Sequence, residues 1–327
     1  MRVLVSRPIP GPALDILKEA GHSLTVLSDE RDQALFELEV GTADGVLATL
    51  ADPIPPDLLV AAPQLRAVAN YAVGFNNIDI ATCTQLGIPV TNTPDVLTDA
   101  TADVTMILIL MALRRVPESE RLLSTGRWQG WRPVSLLGYD LAGKNLGIYG
   151  MGRIGQAVAR RAEAFGMRVF YHTRSGPKPG LPWPHVSFAA LLAESDVLSL
   201  HAPLTPQTRG LIGPGELARM KPTAVLINTA RGPLVDEGAV AQALRDQRLF
   251  AAGFDVYAEE PKVHPALRDA PNTVLLPHIG SSTHETRGAM GRMAAESLLA
   301  ALAGRRAPNT VNDEVYDSAA WRARQQR

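Results

Sequence analysis

Three ionisable side chains, Arg231, Glu260 and His278, each follow a predicted β-strand in the second half of the chain. In a parallel sheet covered by helices, ligands bind outside the carboxyl ends of the strands, so the three can converge on one cleft. Arg231 can bind the carboxylate of a 2-oxo acid and polarise the neighbouring ketone. His278 can donate a proton as a hydride arrives, and Glu260 can hold the imidazole ring. Taken singly, each has an ordinary reading as a surface charge or structural side chain; together they predict ketone reduction.

A glycine-rich turn is the matching signal for a hydride-carrying cofactor. The predicted strand 145–149 runs into Gly150-Met151-Gly152-Arg153-Ile154-Gly155, a GxGxxG sequence in the strand–turn–helix context that dinucleotide binding requires. Gly150 permits the tight turn, Gly152 lets the backbone approach a pyrophosphate, and Gly155 lets helix and strand pack closely. The free N–H groups of the helix N-terminus would bind the phosphates. One face of this helix is predicted to carry Ile154, Val158, Ala162 and Phe165.

The end of the next predicted strand bears on the choice of cofactor. Enzymes that use NAD usually place a carboxylate there to bind the ribose hydroxyl. This chain has Thr173-Arg174-Ser175 and no carboxylate. Arg174 can bind a 2′-phosphate through charge-assisted hydrogen bonds. We therefore expect NADP(H) to be preferred, with NAD a possible cofactor if Arg174 is only a solvated loop charge.

Composition excludes several other classes of protein. The 327 residues carry 32 Lys and Arg against 33 Asp and Glu, which does not suit a nucleic-acid binder. The single cysteine, Cys83, allows no intrachain disulfide and no paired-cysteine metal site, and the histidines lack metal-ligand spacing, so no metal is expected. The N-terminus does not read as a signal peptide, and the longest apolar stretch, 104–113, is too short to span a membrane. These features predict a soluble, cytoplasmic protein.

The elements that must position these residues alternate between strands and helices. Most of the strand-like runs are almost continuously apolar, which is typical of parallel strands buried on both faces. Eleven such runs occur, at 2–6, 23–27, 45–48, 66–70, 88–91, 145–149, 168–172, 196–201, 223–228, 252–256 and 273–276. The predicted fold class is α/β, with a Rossmann-type doubly wound parallel sheet inserted into a second, flavodoxin-like α/β domain.

Two predicted helices mark the crossings between these domains. One begins near Thr98 and ends before Pro117, and the other begins with a capping box at 282–285 and ends at Gly304. They give a dinucleotide-binding domain over residues 97–283 and a substrate domain over residues 1–96 and 284–327. The last dozen residues, which end in the polar run 322–327, are expected to fray.

The whole chain resembles the D-2-hydroxyacid dehydrogenase family, and within it the glyoxylate/hydroxypyruvate reductases. The most specific segments are the glycine fingerprint, His201-Ala202-Pro203-Leu204-Thr205, Asn228-Thr229-Ala230-Arg231-Gly232 and Pro277-His278-Ile279-Gly280-Ser281. The resemblance implies that Arg231, Glu260 and His278 are the catalytic set. It also implies that the Val73 and Gly74 backbone binds the substrate carboxylate together with Arg231. The cofactor would be lined by Leu204, Ala230, Asp255 and His278–Gly280.

The resemblance to the reductase subfamily rests on the segments 93–99 and 128–133 and on the Thr173-Arg174 pair. In the second segment, Trp131 would reach the active site of a neighbouring subunit, although it also reads as simple packing between subunits. A homodimer is therefore expected, with the apolar helix and the 128–133 segment at its interface. The implied reactions reduce glyoxylate to glycolate and hydroxypyruvate to D-glycerate. Two alternatives stay open: a dehydrogenase for another D-2-hydroxy acid, such as D-lactate, and a cofactor-sensing scaffold like the family's transcriptional corepressors.

Overall fold

The computed structural model of the protein describes residues 1–325, and it divides into two compact units. One comprises residues 1–97 together with the segment that begins at Ser282, and the other comprises Thr98–Ser281. These bounds lie one or two residues from the domain limits expected above. Every predicted strand is present and every strand pairing is parallel, which confirms the α/β fold class.

The elements are numbered along the chain. The strands are β1 (Arg2–Val5), β2 (Ser23–Val26), β3 (Gly45–Thr49), β4 (Ala67–Tyr71), β5 (Val90–Thr91), β6 (Asn145–Tyr149), β7 (Arg168–His172), β8 (Val197–Leu200), β9 (Val225–Asn228), β10 (Ala251–Phe254) and β11 (Thr273–Leu275). The helices are α1 (Ala13–Glu19), α2 (Gln33–Val40), α3 (Pro56–Val60), α4 (Ile80–Gln85), α5 (Thr98–Leu113), α6 (Val116–Ser124), α7 (Arg153–Ala164), α8 (Phe188–Glu194), α9 (Pro214–Leu217), α10 (Glu237–Arg245), α11 (Pro265–Arg268), α12 (His284–Leu302) and α13 (Ala319–Gln325).

The first unit is built on a five-stranded sheet in the order β2-β1-β3-β4-β5, which is the flavodoxin order. Its strands β1, β3, β4 and β5 are mostly buried because helices cover both sides of the sheet, and α12 packs on β3 and β4. The edge strand β2 is partly exposed. The first strand illustrates the pattern, since Val3, Leu4 and Val5 are all fully buried. In this sheet β1, β3 and β4 lie side by side, so the residues after their carboxyl ends share one edge.

The second unit contains a six-stranded sheet in the order β11-β10-β9-β8-β6-β7. A single parallel bridge from Tyr171 to His185 extends it beyond β7. With that segment counted, the strands of this unit run 3-2-1-4-5-6-7, which contains the Rossmann order. The strand order reverses between β6 and β8, so a ligand is expected beside the carboxyl ends of these two strands.

Two helix predictions need correction. The N-cap of α12 is Thr283, whose hydroxyl accepts the N–H of Thr286 at 3.1 Å, so the expected capping box from Ser282 to Glu285 does not form. At the end of α7, Phe165 is 46% exposed and follows the last helical residue, so it does not share the buried face. In both cases the helix boundary lies one residue from its predicted position, which changes the face on which a terminal side chain points.

The prediction that the end of the chain frays is wrong for the residues up to 325. The end of the chain forms α13, in which the buried guanidinium of Arg324 donates hydrogen bonds to the carbonyl oxygens of Pro63, Leu65 and Leu86. The sequence does not reveal that Arg324 anchors this segment, because its carbonyl partners lie far away along the chain. Gln326 and Arg327 lie outside the described residues. Within residues 1–325, no helix is both long and apolar enough to cross a membrane.

Candidate active site

The loop after β9 holds Arg231 and is shaped by Asn228, the last residue of that strand. The buried Asn228 side chain donates to the Arg231 carbonyl at 2.9 Å and accepts the Ala230 N–H at 3.1 Å, which closes the loop into a tight turn. At Gly232 a Cβ atom would collide with the backbone of Tyr257. This glycine therefore lets the Arg231 loop pack directly against the loop that contains Glu260.

The Arg231 guanidinium is set up to bind an anion. Burial lowers its pKa from the ordinary value for arginine, and the negative charge of Glu260 opposes that shift. Among the described residues its one hydrogen bond runs from Nη1 to the Ala230 carbonyl at 2.6 Å. Most of its N–H donors thus remain for a ligand, in surroundings with little water to screen the charge.

His278 and Glu260 form a hydrogen-bonded pair. The distance from His278 Nδ1 to Glu260 Oε2 is 2.8 Å, and Glu260 Oε1 accepts the Tyr257 N–H at 3.0 Å. Partial burial raises the Glu260 pKa, but the hydrogen bond and charge of His278 outweigh it, so the Glu260 pKa lies below its usual range. An ionised carboxylate can only accept, so Nδ1 must carry a proton and Nε2 is the ring nitrogen left for chemistry.

The backbone that carries His278 is strained and is braced by Asp255. His278 has a φ of 55°, in the left-handed region that non-glycine residues rarely occupy. The Asp255 carboxylate accepts the N–H of Ile279 at 2.7 Å and that of Gly280 at 2.8 Å. Asp255 is only 1% exposed, and its burial raises its pKa in spite of these two hydrogen bonds. In this structure Asp255 therefore fixes the histidine loop, a role separate from the cofactor contact implied above.

The glycine fingerprint has a geometry that fits a bound pyrophosphate. Gly150 has a φ of 98°, and a Cβ there would lie 2.7 Å from the backbone of His201, so this turn sits tightly beside the end of β8. Gly155 packs on the Gly150 carbonyl with no room for a side chain. At Gly152, by contrast, a Cβ would meet no heavy atom within 4 Å, which leaves open space in front of α7. No side chain caps this helix, so its first N–H groups suit a phosphate.

The residues predicted to select the cofactor form an exposed turn after β7. The buried Thr173 hydroxyl donates to the Gly176 carbonyl, and the Gly176 N–H donates to the Thr173 carbonyl at 3.1 Å. This turn presents Arg174 and Ser175 to solvent. Burial raises the pKa of Tyr149 while the charge of Arg174 opposes that shift, so Arg174 lies near the end of β6 and the start of the fingerprint.

The remaining predicted cofactor residues surround these turns. Arg153 is exposed at the start of α7, Ile154 packs partly against the core, and Leu204 and Ala230 are half-buried after β8 and β9. His201 directly follows β8, where burial lowers its pKa to about 3, and its Nε2 forms a hydrogen bond with Ser199 Oγ at 2.8 Å. A pKa lowered in this way favours the neutral imidazole at physiological pH.

The first unit places Val73 and Gly74 in the loop after β4. The Ala72 carbonyl accepts the Thr93 N–H at 2.9 Å, and the Val73 and Gly74 carbonyls each accept a side-chain amide at 2.8 Å. The N–H groups of Val73 and Gly74 donate to no other described residue. Both residues are partly exposed, so two neighbouring amides are available to an anion.

Comparison with known proteins identifies the family of this chain. Residues 106–280, more than half of the chain, match the NAD binding domain of the D-isomer specific 2-hydroxyacid dehydrogenases. The chain belongs to this family. A glyoxylate reductase from Aeropyrum pernix is 47% identical over 326 residues, covering 96% of each protein, and one from Thermococcus litoralis is 42% identical, covering 97% of this chain and 98% of that enzyme.

Solved structures of similar proteins also match this chain over nearly its whole length. The TT0316 protein from Thermus thermophilus superposes with a TM-score of 0.91 at 48% identity, covering 95% of this chain and all of that one. An NADPH-dependent glyoxylate/hydroxypyruvate reductase from Sinorhizobium meliloti, in complex with NADP and malonate, gives a TM-score of 0.84 at 37% identity, covering 95% and 97% of the two chains. The chain is thus an NAD(P)-dependent 2-hydroxyacid dehydrogenase.

Several residues that support the dehydrogenase site were missed in the sequence. The hydroxyl of Thr105 on α5 lies 2.9 Å from that of Thr229, and Thr101 Oγ1 donates to the Gly280 carbonyl at 3.3 Å. Two threonines spaced four apart, and so on one side of a largely apolar helix, are the available signal, because buried hydroxyls need partners. Asn228 had no such signal, since an asparagine at a strand end reads as an ordinary turn residue.

Glu237 is the other residue that was missed. It is 5% exposed at the start of α10, and its two oxygens accept the N–H of Ala258 at 2.6 Å and that of His264 at 3.4 Å. One carboxylate therefore holds both ends of the segment that contains Glu260. In the sequence Glu237 looks like a favourable charge in a first helical turn, which conceals its partners.

One predicted substrate residue stands apart from the rest. Trp131 lies in an irregular segment after α6, and 83% of its surface is exposed. Among residues 1–325, no group of three or more His, Cys, Asp or Glu side chains is arranged to hold a metal ion.

Proposed function

We propose that this dehydrogenase is an NADPH-preferring reductase of glyoxylate and hydroxypyruvate, forming glycolate and D-glycerate. The observation that carries the proposal is the 2.8 Å bond between His278 and an ionised Glu260, on a loop packed against the Arg231 loop. A proton donor and a carboxylate-binding cation are the two groups that reduction of a 2-oxo acid needs. The names of the Aeropyrum pernix and Sinorhizobium meliloti relatives support the choice of substrates.

In the proposed reaction His278 is the proton donor. Glu260 holds Nδ1, so the proton on Nε2 goes to the carbonyl oxygen of the substrate as that oxygen becomes negative. The Glu260 carboxylate stabilises the imidazolium before transfer. When bound along the fingerprint, a nicotinamide cofactor would supply the hydride that the carbonyl carbon accepts. Asp255 keeps the histidine loop in its strained conformation through both of its backbone hydrogen bonds.

The substrate carboxylate is proposed to bind to Arg231 and to the N–H groups of Val73 and Gly74. The Arg231 guanidinium keeps most of its donors free of other described residues, and both amides lack acceptors there. Arg231 also polarises the ketone, because its charge lies in a weakly screened environment.

The preference for NADPH is proposed from the turn at Thr173-Arg174-Ser175. An exposed guanidinium beside the fingerprint can bind a 2′-phosphate, and no carboxylate stands there to repel it. Residues of the fingerprint from Gly150 to Gly155, with Leu204, Ala230, Asp255 and Gly280, would line the rest of the cofactor. NAD remains a possible second cofactor.

A cytoplasmic homodimer completes the proposal. Exposed apolar side chains are frequent in the last turn of α6 and in the segment after it, at Leu123, Trp128, Trp131, Val134 and Leu137, and exposed apolar patches often mark interfaces. The apolar side chains of α5 pack mostly within their own unit, with Ile107 the exposed exception. Cys83 is buried and its pKa is raised to about 12, so it fits a structural thiol in a reducing compartment. Light scattering of the purified protein would test the dimer.

A substrate panel tests the function. Initial rates would be measured for glyoxylate, hydroxypyruvate, pyruvate and a branched 2-oxo acid, each with NADPH and with NADH. We expect the highest kcat/KM for glyoxylate or hydroxypyruvate with NADPH, and D-glycerate as the product in the second case. A higher kcat/KM for pyruvate would instead identify a D-lactate dehydrogenase. Negligible turnover of every acid, together with tight cofactor binding, would favour the scaffold alternative.

A further inference from the structure

The loop after β4 has a hydrogen-bonding pattern that sets the direction of its amide groups. A trans peptide unit points its C=O and the following N–H in opposite directions. The Ala72 carbonyl is held by the Thr93 N–H, so the Val73 N–H must face the other way. The Val73 carbonyl is held by Asn92 Nδ2 at 2.8 Å, so the same reasoning applies to the Gly74 N–H.

The third peptide unit follows the same rule. The Gly74 carbonyl accepts Asn70 Nδ2 at 2.8 Å, which turns the Phe75 N–H away from that contact. Like its two predecessors, the Phe75 N–H donates to no other described residue. The N–H groups of three successive residues, 73, 74 and 75, are therefore unpaired among the described residues. Val73 and Gly74 are partly exposed, and Phe75 is exposed.

Both asparagines are themselves firmly placed. Asn70 is fully buried on β4, and its side-chain amide pairs with that of Asn77 at 3.3 Å in each direction. Asn77 Nδ2 in turn donates to the carbonyls of Thr49 and Asp52 at 3.0 Å each. The Asn92 backbone N–H donates to the Asn309 carbonyl at 3.1 Å, which anchors Asn92 to the C-terminal segment.

We propose that Asn92, assisted by Asn70, is a positioning residue that makes the enzyme specific for substrates with a carboxylate. The inference rests on the proposed function, in which the Val73 and Gly74 amides bind that carboxylate. By holding the Val73 carbonyl inward, Asn92 keeps the Gly74 N–H presented to the anion. Without that bond the peptide unit can rotate and place a carbonyl oxygen, with its partial negative charge, where the carboxylate binds.

The test compares two substrates of similar size in the NADPH-loaded enzyme. Glyoxylate has a carboxylate beside its carbonyl, whereas glycolaldehyde has a neutral hydroxymethyl group. For Asn92→Ala we expect kcat/KM for glyoxylate to fall by roughly 10-fold or more, since a hydrogen bond to a charged group is worth ~1.5–3 kcal/mol. The loss should come mainly from KM, and kcat/KM for glycolaldehyde should change less than about twofold. Asn92→Asp, which keeps the shape but replaces the donor with an acceptor, should lose at least as much.

Two further measurements keep the result interpretable. Asn145→Ala is the matched control, because it also removes a side-chain amide bond to a carbonyl, that of Glu194, but at the amino end of β6. In Asn145→Ala, kcat/KM should stay at the wild-type value for both glyoxylate and glycolaldehyde. The inhibition constant of oxalate, an anion that is not turned over, should rise in Asn92→Ala by about the same factor as KM for glyoxylate.

Each adverse outcome has a separate meaning. Equal losses for glyoxylate and glycolaldehyde, with an unchanged inhibition constant for oxalate, would show a merely structural role and overturn the inference. Unchanged kinetics for glyoxylate in both Asn92 variants would also overturn it. If the wild type instead prefers another 2-oxo acid, the proposed substrate is wrong, and the same comparison is made with that acid and its carboxylate-free analogue. A wild type that does not distinguish acids from neutral carbonyls refutes both proposals.

Discussion

Replacing Glu260 by glutamine probes the proposed proton donor through its partner. Two N–H groups, that of Tyr257 and Nδ1–H of His278, each point at one oxygen of the Glu260 carboxylate. Glutamine has a single oxygen, and its NH₂ group is a donor. One of the two N–H groups must therefore lose its acceptor, and in either arrangement the imidazolium loses a full negative charge 2.8 Å away.

The magnitude follows from the charge-assisted bond. Hydrogen bonds to charged groups are worth ~1.5–3 kcal/mol, which corresponds to roughly 10- to 150-fold in rate if the imidazolium carries that stabilisation into the transition state. We expect kcat of Glu260→Gln to fall within this range while cofactor affinity changes little. Stopped-flow measurement of NADPH oxidation at saturating substrate gives the rate, and NADPH fluorescence titration gives the affinity.

Glu259, the exposed residue next to Glu260, provides the control. Glu259→Gln removes a charge at the adjacent position without touching His278, and it should retain the wild-type kcat. A Glu260→Gln variant with more than half of the wild-type kcat would refute the assigned role. A loss of the same size in both variants would refute it as well, because it would reflect the general charge of the loop.

The lowered pKa of Glu260 also gives a stability test. A carboxyl group with a depressed pKa in the folded state contributes stability above its unfolded value, near 4.5, and loses it as the pH falls through the lower folded value. The wild type should therefore be more stable than Glu260→Gln at neutral pH. Urea unfolding at several pH values should show this advantage shrinking below about pH 4.5. An advantage that grows on acidification would contradict the ionised state of Glu260.

Three further substitutions test the other assignments. His278→Asn keeps a polar side chain but cannot donate a proton, so kcat should fall by about 10²–10⁴-fold with little change in NADPH affinity, and more than half the wild-type kcat would remove His278 from the mechanism. Arg231→Lys keeps the charge but loses the planar pair of N–H donors that binds a carboxylate, so KM for glyoxylate should rise strongly and kcat should fall. An unchanged KM would mean that the Val73 and Gly74 amides hold the carboxylate alone. Wild-type kcat/KM should favour NADPH over NADH by at least about tenfold, and Arg174→Ala should remove most of that preference by weakening NADPH only. Added salt should reduce the preference in the wild type, and equal or better use of NADH would refute it.

The strands and the fingerprint could be predicted because their causes are local. Runs such as Val3-Leu4-Val5 are apolar on both faces, and that composition suits a strand covered on both sides wherever it lies in the sheet. The GxGxxG turn likewise depends on neighbouring residues, since Gly150 needs a positive φ and Gly155 needs space against Gly150 itself. Arg231, Glu260 and His278 were found for a related reason: parallel strands bring their carboxyl ends to one edge.

Only the tertiary structure decided how these residues are held. The Asp255 carboxylate, the Glu237 carboxylate and the Asn92 amide all bond to backbone groups that lie 19 to 27 residues away in sequence. Their side chains are of common types, and nothing in their local sequence distinguishes a buried partner of a loop from an exposed polar residue. The same holds for Arg324, whose carbonyl partners lie more than two hundred residues earlier.

The sequence by itself thus determined which elements form, which cofactor class the fingerprint accepts and which three side chains gather at the strand ends. The tertiary structure decided the strand order, the left-handed conformation of His278 and the direction of the amides at Val73 and Gly74. The physical reason is the range of the forces involved. Apolar periodicity and glycine conformations act between neighbours in the chain, whereas a buried hydrogen bond forms only after folding has brought its donor and acceptor within about 3 Å.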